Sequence, residues 1–340
     1  INLINENIKI SGGLRATYFV QSGPFDRFIK NEACQIVDTI RYQKNAHITD
    51  YKHLEPRFSM RYNLNKQSSV KAAFTQNYQY IHLAPITAVS LPTDIWVPSS
   101  SIVKPQFGTQ YSIGYFRNFS KNKFETSFEL YYKDLKNQIE FKEGVVPEDN
   151  VKDNIDNNLT FGNGWSYGAE LFLKKRSGKM TGWLGYTLSL TKRKFPEIFD
   201  GKPYYAKYDR RHDLSFVASY DLDENWTFAM IFVYATGNAI TLPIAWYVIG
   251  GNIITEYGDR NSFRMPAYHR MDISVTYTGK KHKRYESSWN VSIYNLYNRA
   301  NPYYIYFATK GNISEMNLET SARQVSLFPI LPSVTWNFKF

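Results

Sequence analysis

The chain has 340 residues, of which 43% are hydrophobic and 17% aromatic, and its formal net charge is +11 at pH 7. No apolar stretch approaches the roughly 20 residues that a transmembrane helix needs, which excludes helical membrane spans. A single cysteine, Cys34, excludes an internal disulfide framework and a multi-cysteine metal site. The clearest basic cluster, Lys280 to Arg284, falls between two strand patterns and predicts a solvated turn rather than a nucleic-acid surface.

Apolar and polar residues alternate with a period of two along most of the chain, which predicts about twelve β-strands. In chain order, the clearest apolar faces are Phe58, Met60, Tyr62 and Leu64; Phe124, Phe128, Leu130 and Tyr132; Leu184, Tyr186, Leu188 and Leu190; Leu214, Phe216, Ala218 and Tyr220; and Trp226, Phe228, Met230, Phe232 and Tyr234. Such strands suit a bilayer, with apolar side chains toward lipid and polar ones toward a lumen.

The last eight residues follow the same pattern and end on a phenylalanine. Their apolar face is Val334, Trp336, Phe338 and Phe340. In water this face would form an exposed aromatic edge, whereas in a bilayer it would contact lipid. We therefore predict a lipid-facing terminal strand that serves as a signal for barrel assembly.

The predicted connections alternate between short and long. Short turns are expected near Asn65–Gln67, Ser120–Asn122, Arg176–Lys179, Asp221–Asn225 and Gly279–Arg284. Long segments are expected near Ser22–His53, His82–Lys104, Gly144–Gly162, Arg193–Tyr208, Gly237–Met265 and Ala300–Arg323. This alternation is typical of outer-membrane barrels, in which short turns are periplasmic and long loops extracellular. Aromatic residues near the predicted strand ends agree with it, because such rings favour the membrane interface: Tyr220, Trp226, Tyr234, Tyr277, Trp289 and Trp336.

A series of short motifs resembles the C-terminal part of the barrel of TonB-dependent outer-membrane receptors. In chain order the motifs are Gly13-Leu14-Arg15, Leu54-Glu55-Pro56-Arg57-Phe58-Ser59-Met60-Arg61-Tyr62, Lys104-Pro105-Gln106, Glu129-Leu130-Tyr131-Tyr132-Lys133, Tyr167-Gly168-Ala169-Glu170, Asp209-Arg210-Arg211-His212-Asp213, Pro266-Ala267-Tyr268-His269-Arg270-Met271-Asp272 and Asn295-Leu296-Tyr297-Asn298. The chain is rich in Asn, Lys and Tyr, and in this respect its composition is similar to that of receptors of Bacteroidetes-type bacteria.

The resemblance implies an all-β, antiparallel transmembrane barrel of 22 strands closed by an N-terminal plug. About twelve strands are predicted here and no plug, so residues 1–340 are expected to form the C-terminal portion of such a barrel. The implied partners are the bilayer and lipopolysaccharide, the plug and remaining strands, TonB through an N-terminal region, and a surface lipoprotein. The implied function is active import of a scarce solute across a bacterial outer membrane. An iron chelate such as a siderophore, a cobalamin, a glycan and a peptide all remain open as solutes.

Candidate site residues lie in the lumen and in the long loops. Arg57 and Arg61 are expected to face the lumen, where plug anchoring or simple solvation is favoured over attraction of an anionic solute. Trp96, Trp246 and Tyr247 are candidates for stacking on a ligand, although packing within the loops is the simpler interpretation. The acidic segment from Glu143 to Asp156 contains Glu148, Asp149 and Asp153, and its simplest interpretation is solvated charge rather than a cation site.

No catalytic residue, metal site or cofactor is predicted. Gly164-Trp165-Ser166-Tyr167-Gly168 matches a nucleophile elbow, which requires a strand-to-helix turn, but the residues after it continue a strand pattern. Six scattered histidines lack the close pairing of a metal site. Three alternatives stay open: a self-closed twelve-stranded passive pore, a barrel enzyme that uses Ser166, and a non-transporting subunit that acts through its loops.

Overall fold

A computed structural model of the chain describes residues 2–4, 7–31, 35–84, 95–143, 153–250, 252–279, 285–311 and 319–340. Within these residues the fold is built from β-strands, with short 3-10 helices at Ile155–Asn158 and Phe199–Gly201. None of the helices in the described ranges is long and apolar enough to span a membrane. The predictions for Cys34, for Lys280 to Arg284, and for Glu148 and Asp149 concern positions outside the described residues.

The strands follow one another in chain order as β1 (Asn2–Ile4), β2 (Ile8–Ser22), β3 (Phe25–Lys30), β4 (Ile36–Tyr42), β5 (His47–Asn65), β6 (Ser68–Gln79), β7 (Ile81–Ala84), β8 (Ile95–Pro98), β9 (Gln106–Phe119), β10 (Phe124–Phe141), β11 (Leu159–Lys175), β12 (Met180–Lys194), β13 (Tyr204–Tyr205), β14 (His212–Asp221), β15 (Trp226–Ala235), β16 (Ala239–Ile240), β17 (Pro243–Ile249), β18 (Asn252–Tyr257), β19 (Phe263–Arg264), β20 (Tyr268–Thr278), β21 (Glu286–Tyr294), β22 (Pro302–Lys310), β23 (Glu319–Ser326) and β24 (Leu331–Lys339).

One large antiparallel sheet contains the long strands, in the order β1-β2-β5-β6-β9-β10-β11-β12-β14-β15-β20-β21-β24. Apart from the three-residue β1, these are twelve strands, as the alternation predicts. Each long strand pairs with the next long strand along the chain, so the sheet is an up-and-down meander. The terminal strand β24 pairs with β21, and Phe340 follows the strand rather than ending it.

All short turns of the meander lie at one rim and all long connections at the other, because consecutive strands are antiparallel. We call these the short-turn rim and the long-loop rim. The six long connections are residues 23–46, 80–105, 142–158, 195–211, 236–267 and 295–330. Several contain small two-stranded sheets of their own, formed by the pairs β3–β4, β7–β8, β16–β19, β17–β18 and β22–β23. The first connection is shorter than predicted, since pairing of β2 with β5 continues as far as Ser22 and His47.

The pairing register divides the sheet into an apolar and a polar face. Phe232 pairs with Phe216 on one side and Met271 on the other, whereas Ala229 pairs with Ser219 and Ser274. An aromatic row crosses four strands near the short-turn rim through successive pairs of Trp226, Tyr277, Trp289 and Trp336. The predicted faces of β14, β15 and β24 are therefore confirmed, including the shared face of the C-terminal residues.

The apolar face of the sheet is exposed, and the buried apolar residues lie elsewhere. Leu54, Ile113 and Val334 on this face are 61%, 53% and 65% exposed. One buried cluster lies under the β7–β8 hairpin and is formed by Ala84, Val97, Val103, Ile139, Phe141 and Leu159. A second cluster contains Phe195, Ile198 and Tyr204. Both lie at the long-loop rim, so the hydrophobic core holds the connections in place. An apolar sheet face of this extent requires a non-aqueous neighbour.

Candidate functional site

A cavity of about 840 Å³ opens between the β17–β18 and β22–β23 hairpins at the long-loop rim. Its lining carries no formal charge and is rich in aromatic rings, with Thr241, Pro243, Ile244, Ala245, Trp246, Thr255, Tyr257, Tyr304, Ile305, Tyr306, Phe307, Thr320, Ala322 and Val325. Rings and apolar side chains with a few hydroxyl groups are the usual lining of a site for a small molecule. This cavity is the strongest candidate for a ligand site at the rim.

The structure separates the three predicted loop aromatics. Trp246 lines the cavity, whereas Tyr247, the next residue along β17, directs its hydroxyl group to the Glu256 carboxylate on β18. Trp96 lies in the β7–β8 hairpin, is 65% exposed and does not line this cavity. Of the three residues, Trp246 alone has the placement that stacking on a ligand in this cavity requires.

Several cavity residues were missed by the sequence reasoning. Tyr304, Tyr306 and Phe307 line the cavity from β22, opposite Trp246. The signal for them was present as the run Tyr303-Tyr304-Ile305-Tyr306-Phe307, whose ring density exceeds that of any other long connection. Its significance depends on the neighbouring hairpin, which no local pattern specifies.

A buried ion pair anchors the connection that carries the β17–β18 hairpin. Arg264 on β19 forms an ion pair with Asp209, whose side chain is fully buried. The same carboxylate accepts a hydrogen bond from the backbone N–H of Thr191 at 2.5 Å. Burial of a charge is tolerated only with such pairing, so this pair fixes the connection 236–267 to the end of β12.

A second buried carboxylate, that of Glu140 near the end of β10, joins the connections 195–211 and 236–267 to this strand. Arg260 donates a hydrogen bond to it at 2.8 Å, and the hydroxyl group of Tyr204 also donates to it. Burial, together with the adjacent Glu140 carboxylate, raises the pKa of Tyr204, so that its phenol stays protonated and remains a donor. The long loops are therefore joined to one another through Glu140.

The first three connections are also linked to one another. Lys30 on β3 forms an ion pair with Asp153 at 2.5 Å, and the backbone N–H of Phe28 donates to the Asn154 side chain at 2.7 Å. Burial alone would raise the pKa of Asp153, but hydrogen bonds and the charge of Lys30 outweigh it and lower the pKa. Asp156 accepts a hydrogen bond from Ser100, and burial raises its pKa.

Those contacts change the interpretation of the acidic segment. Asp153 and Asp156 serve as acceptors between connections rather than as solvated charge. In the described part of the chain, no group of three or more His, Cys, Asp or Glu side chains is arranged to hold a metal ion.

The polar face of the sheet carries a row of charge that changes sign along it. Arg61 pairs with Lys9 on one side and Lys71 on the other, and these three cations line a groove of about 560 Å³. The row continues through Gly114 and Glu129 to Glu170, and the two carboxylates line a smaller groove with Asp213. Arg57 lies on the same polar face, paired with Gly13 and Thr75.

The glycine in this row provides room for large side chains. A Cβ atom at Gly114 would lie 2.7 Å from the side chain of Glu129 and 2.9 Å from the ring of Phe116. Lys71 in turn lies over that ring, with Nζ 3.9 Å from its centroid. Gly114 therefore sets the boundary between the basic and the acidic parts of the row.

Ser166 lies in the middle of β11, where its hydroxyl group is 2.9 Å from that of Thr191. The Gly-x-Ser-x-Gly match is therefore part of a continuous strand, as its surroundings predict, and not a strand-to-helix turn. Gly168 has a packing role, because a Cβ atom there would lie 2.8 Å from the Tyr131 hydroxyl oxygen.

An antiparallel meander with one apolar and one polar face, and with its long connections at one rim, defines the transmembrane β-barrel class. The sequence matches the family described as TonB dependent receptor-like, beta-barrel, over residues 1–296. The chain belongs to this family. No curated protein has a sequence that matches it.

Solved receptor structures share the fold. The ferripyoverdine receptor of the Pseudomonas aeruginosa outer membrane has a TM-score of 0.55 at 15% identity, over 99% of this chain and 37% of its own. The ferric yersiniabactin uptake receptor of Yersinia pestis has a TM-score of 0.56 at 14% identity, over 99% of this chain and 44% of its own. The ferric preacinetobactin receptor of Acinetobacter baumannii has a TM-score of 0.57 at 14% identity, over 98% of this chain and 40% of its own. This chain thus spans about two fifths of the length of these structures.

Proposed function

We propose that this chain forms the C-terminal part of the barrel of an outer-membrane receptor that imports a scarce solute with energy delivered through TonB. Membership in the receptor barrel family supports this proposal. The twelve long strands form about half of a 22-stranded barrel of the plugged transporter type. The remaining strands and the plug would come from a region N-terminal to these residues.

In this proposal the long-loop rim is extracellular and the short-turn rim periplasmic, as in outer-membrane barrels generally. The aromatic row through Trp226, Tyr277, Trp289 and Trp336 would then lie at the periplasmic membrane interface, where amphipathic rings are favoured.

The polar face would contact the plug. The charged row has cations on β2, β5 and β6 and carboxylates on β10 and β11. A complementary plug surface would place acidic residues opposite the cations and basic residues opposite the carboxylates. Arg61 belongs to the basic part of this row, and plug anchoring is therefore the role we assign to it. Arg57, on the same face, would support the same contact.

The observation that carries the ligand-binding part of the proposal is the uncharged aromatic cavity at the long-loop rim. Flat rings offer large contact area and stack on planar groups. We infer that the solute presents a ring or another planar, uncharged part to Trp246 and Tyr304. A ferric siderophore is the test solute, since the solved neighbours are named as receptors or uptake receptors for such complexes.

Adjacent residues on β17 provide a matched test in the complete receptor. Trp246→Ala removes a ring from the cavity, whereas Tyr247→Ala removes a ring that lies outside it. Binding of a panel of ferric siderophores to cells that express the receptor would be measured, together with uptake in the presence and absence of TonB.

We expect TonB-dependent uptake of at least one solute, with affinity lowered about tenfold by Trp246→Ala and little changed by Tyr247→Ala. Uptake that does not depend on TonB would favour the passive pore instead. Equal losses for the two variants would show that this cavity is not the ligand site.

A further inference from the structure

Three cations surround the ring of Tyr205, which lies on β13 at the long-loop rim. Nζ of Lys192 is 5.2 Å from the ring centroid, Cζ of Arg264 is 5.1 Å away and Cζ of Arg211 is 5.7 Å away. We call these four residues the Tyr205 cluster. Such distances allow cation–π attraction, and they place three like charges around one ring.

The cluster has fewer anions than cations. Arg264 is paired with the buried Asp209 carboxylate. Within the described ranges, neither Lys192 nor Arg211 forms an ion pair, and Nε of Arg211 is buried without a hydrogen-bond partner. Because a buried charged donor without a partner costs free energy, the arrangement lacks an anion.

The register of β12 indicates which side of the sheet Lys192 and its pair Tyr205 face. Lys192 pairs with Trp165 of β11 and with Tyr205. Two residues earlier along β12, Leu190 pairs with Tyr167, which belongs to the apolar face. Strand alternation therefore puts Lys192 on the apolar face, at its upper border beside the long-loop rim.

We propose that the Tyr205 cluster binds a phosphate group, supplied by the head group of an outer-leaflet glycolipid such as lipopolysaccharide. Guanidinium and ammonium groups bind phosphate through charge-assisted hydrogen bonds. A phosphate at this place would neutralise Lys192 and Arg211 and give the buried Nε its acceptor. The lipid source rests on the outer-membrane location proposed above, whereas binding of phosphate itself does not.

The test compares the complete receptor with a Lys192→Gln/Arg211→Gln variant in detergent micelles. Lys66→Gln is the matched control, because it removes one exposed cation at the short-turn rim. Three probes are titrated: lipid A with its phosphates, enzymatically dephosphorylated lipid A, and inorganic phosphate. Retained β-sheet circular dichroism and heat-modifiable mobility verify folding. If the double variant fails to fold, Lys192→Gln alone is used, since it leaves Arg211 in place.

We expect phosphorylated lipid A to bind the wild type and Lys66→Gln at least about tenfold more tightly than it binds the double variant. Dephosphorylated lipid A should bind all three proteins equally weakly. Equal binding of phosphorylated lipid A to the wild type and the double variant would overturn the proposal. Cluster-dependent binding of inorganic phosphate without binding of lipid A would support the phosphate site and overturn its lipid source. These outcomes are independent of the uptake assay, so failure of import does not decide them.

Discussion

The buried carboxylate of Glu55 accepts a hydrogen bond from the backbone N–H of Tyr78 at 3.0 Å. Backbone pairing of β5 with β6 extends to Arg57 and Thr75 and no further. The next residue of β5 toward its start, Pro56, has no N–H group to donate. The Glu55 carboxylate thus supplies the acceptor for the Tyr78 N–H at the point where backbone pairing between β5 and β6 ends. Because Glu55 also forms an ion pair with Arg15 at 2.7 Å, it links β2, β5 and β6.

Glu55→Ala leaves the Tyr78 N–H without its acceptor. We expect a loss of about 2 kcal/mol in unfolding free energy, as is usual for a buried donor left unsatisfied. Glu55→Gln keeps an oxygen for Tyr78 and loses only the charge opposite Arg15, which is 54% exposed. Its cost should therefore be below about 1 kcal/mol. Urea unfolding of the receptor in micelles measures the unfolding free energy of both variants. Equal losses in the two would contradict the role assigned to the hydrogen bond from the Tyr78 N–H.

The sequence predicts the sheet well, because period-two alternation is a local property that a strand retains in any context. The faces of Phe232 and Trp336 follow from it directly. The long loops are different. Glu140 meets Tyr204 and Arg260, which lie 64 and 120 residues away along the chain, and no local pattern brings such residues together. Trp246 and Tyr247 could not be told apart until β17 had been assigned as a strand, since alternation separates them.

The register of β15 predicts opposite tolerance at two positions. Phe232 pairs with Phe216 and Met271 on the apolar face, and Ala229 pairs with Ser219 and Ser274 on the polar face. An arginine facing lipid near the bilayer midplane costs about 2–4 kcal/mol. We expect Phe232→Arg to lower the unfolding free energy of the receptor by this amount. The yield of folded receptor should fall as well.

Ala229→Arg is the control for that substitution, because it introduces the same side chain on the opposite face of the same strand. We expect it to fold with little loss, since the guanidinium would face water or the plug. If Phe232→Arg folds as well as Ala229→Arg, the apolar face does not contact lipid.

Removing the Glu140 carboxylate should loosen the loops without unfolding the sheet. Arg260, whose side chain is 13% exposed, and the buried Tyr204 hydroxyl group would both lose their acceptor. Loss of one member of a buried pair typically costs about 3 kcal/mol. Hydrogen exchange should therefore speed up in residues 195–211 of Glu140→Ala. In Glu143→Ala, which removes an exposed carboxylate bonded to the backbone of Phe199, exchange should change far less. Unchanged exchange in Glu140→Ala would rule out a role in joining the loops.

The β7–β8 hairpin should become less stable in acid because of one buried histidine. His82 is fully buried, with Nε2 2.8 Å from the Ser99 hydroxyl group. Burial lowers the pKa of His82 to about 4, against an ordinary value of 6.5. Between these two pKa values the opened hairpin binds a proton that the closed hairpin does not bind. The stabilisation is therefore complete above pH 6.5 and is lost as the pH falls toward 4, by up to about 3 kcal/mol.

Hydrogen exchange of the β7 and β8 amides, corrected for the intrinsic effect of pH, measures this opening. Wild-type protection should fall between pH 7 and pH 5, whereas His82→Gln, which cannot take up a proton, should show a much weaker dependence. The difference between the two proteins isolates His82 from the carboxylates of Asp153 and Asp156, which titrate in both. His47→Gln, a change at an exposed histidine in the same rim, should retain the wild-type dependence. Identical pH profiles for the wild type and His82→Gln would mean that the histidine does not couple closure of the hairpin to pH.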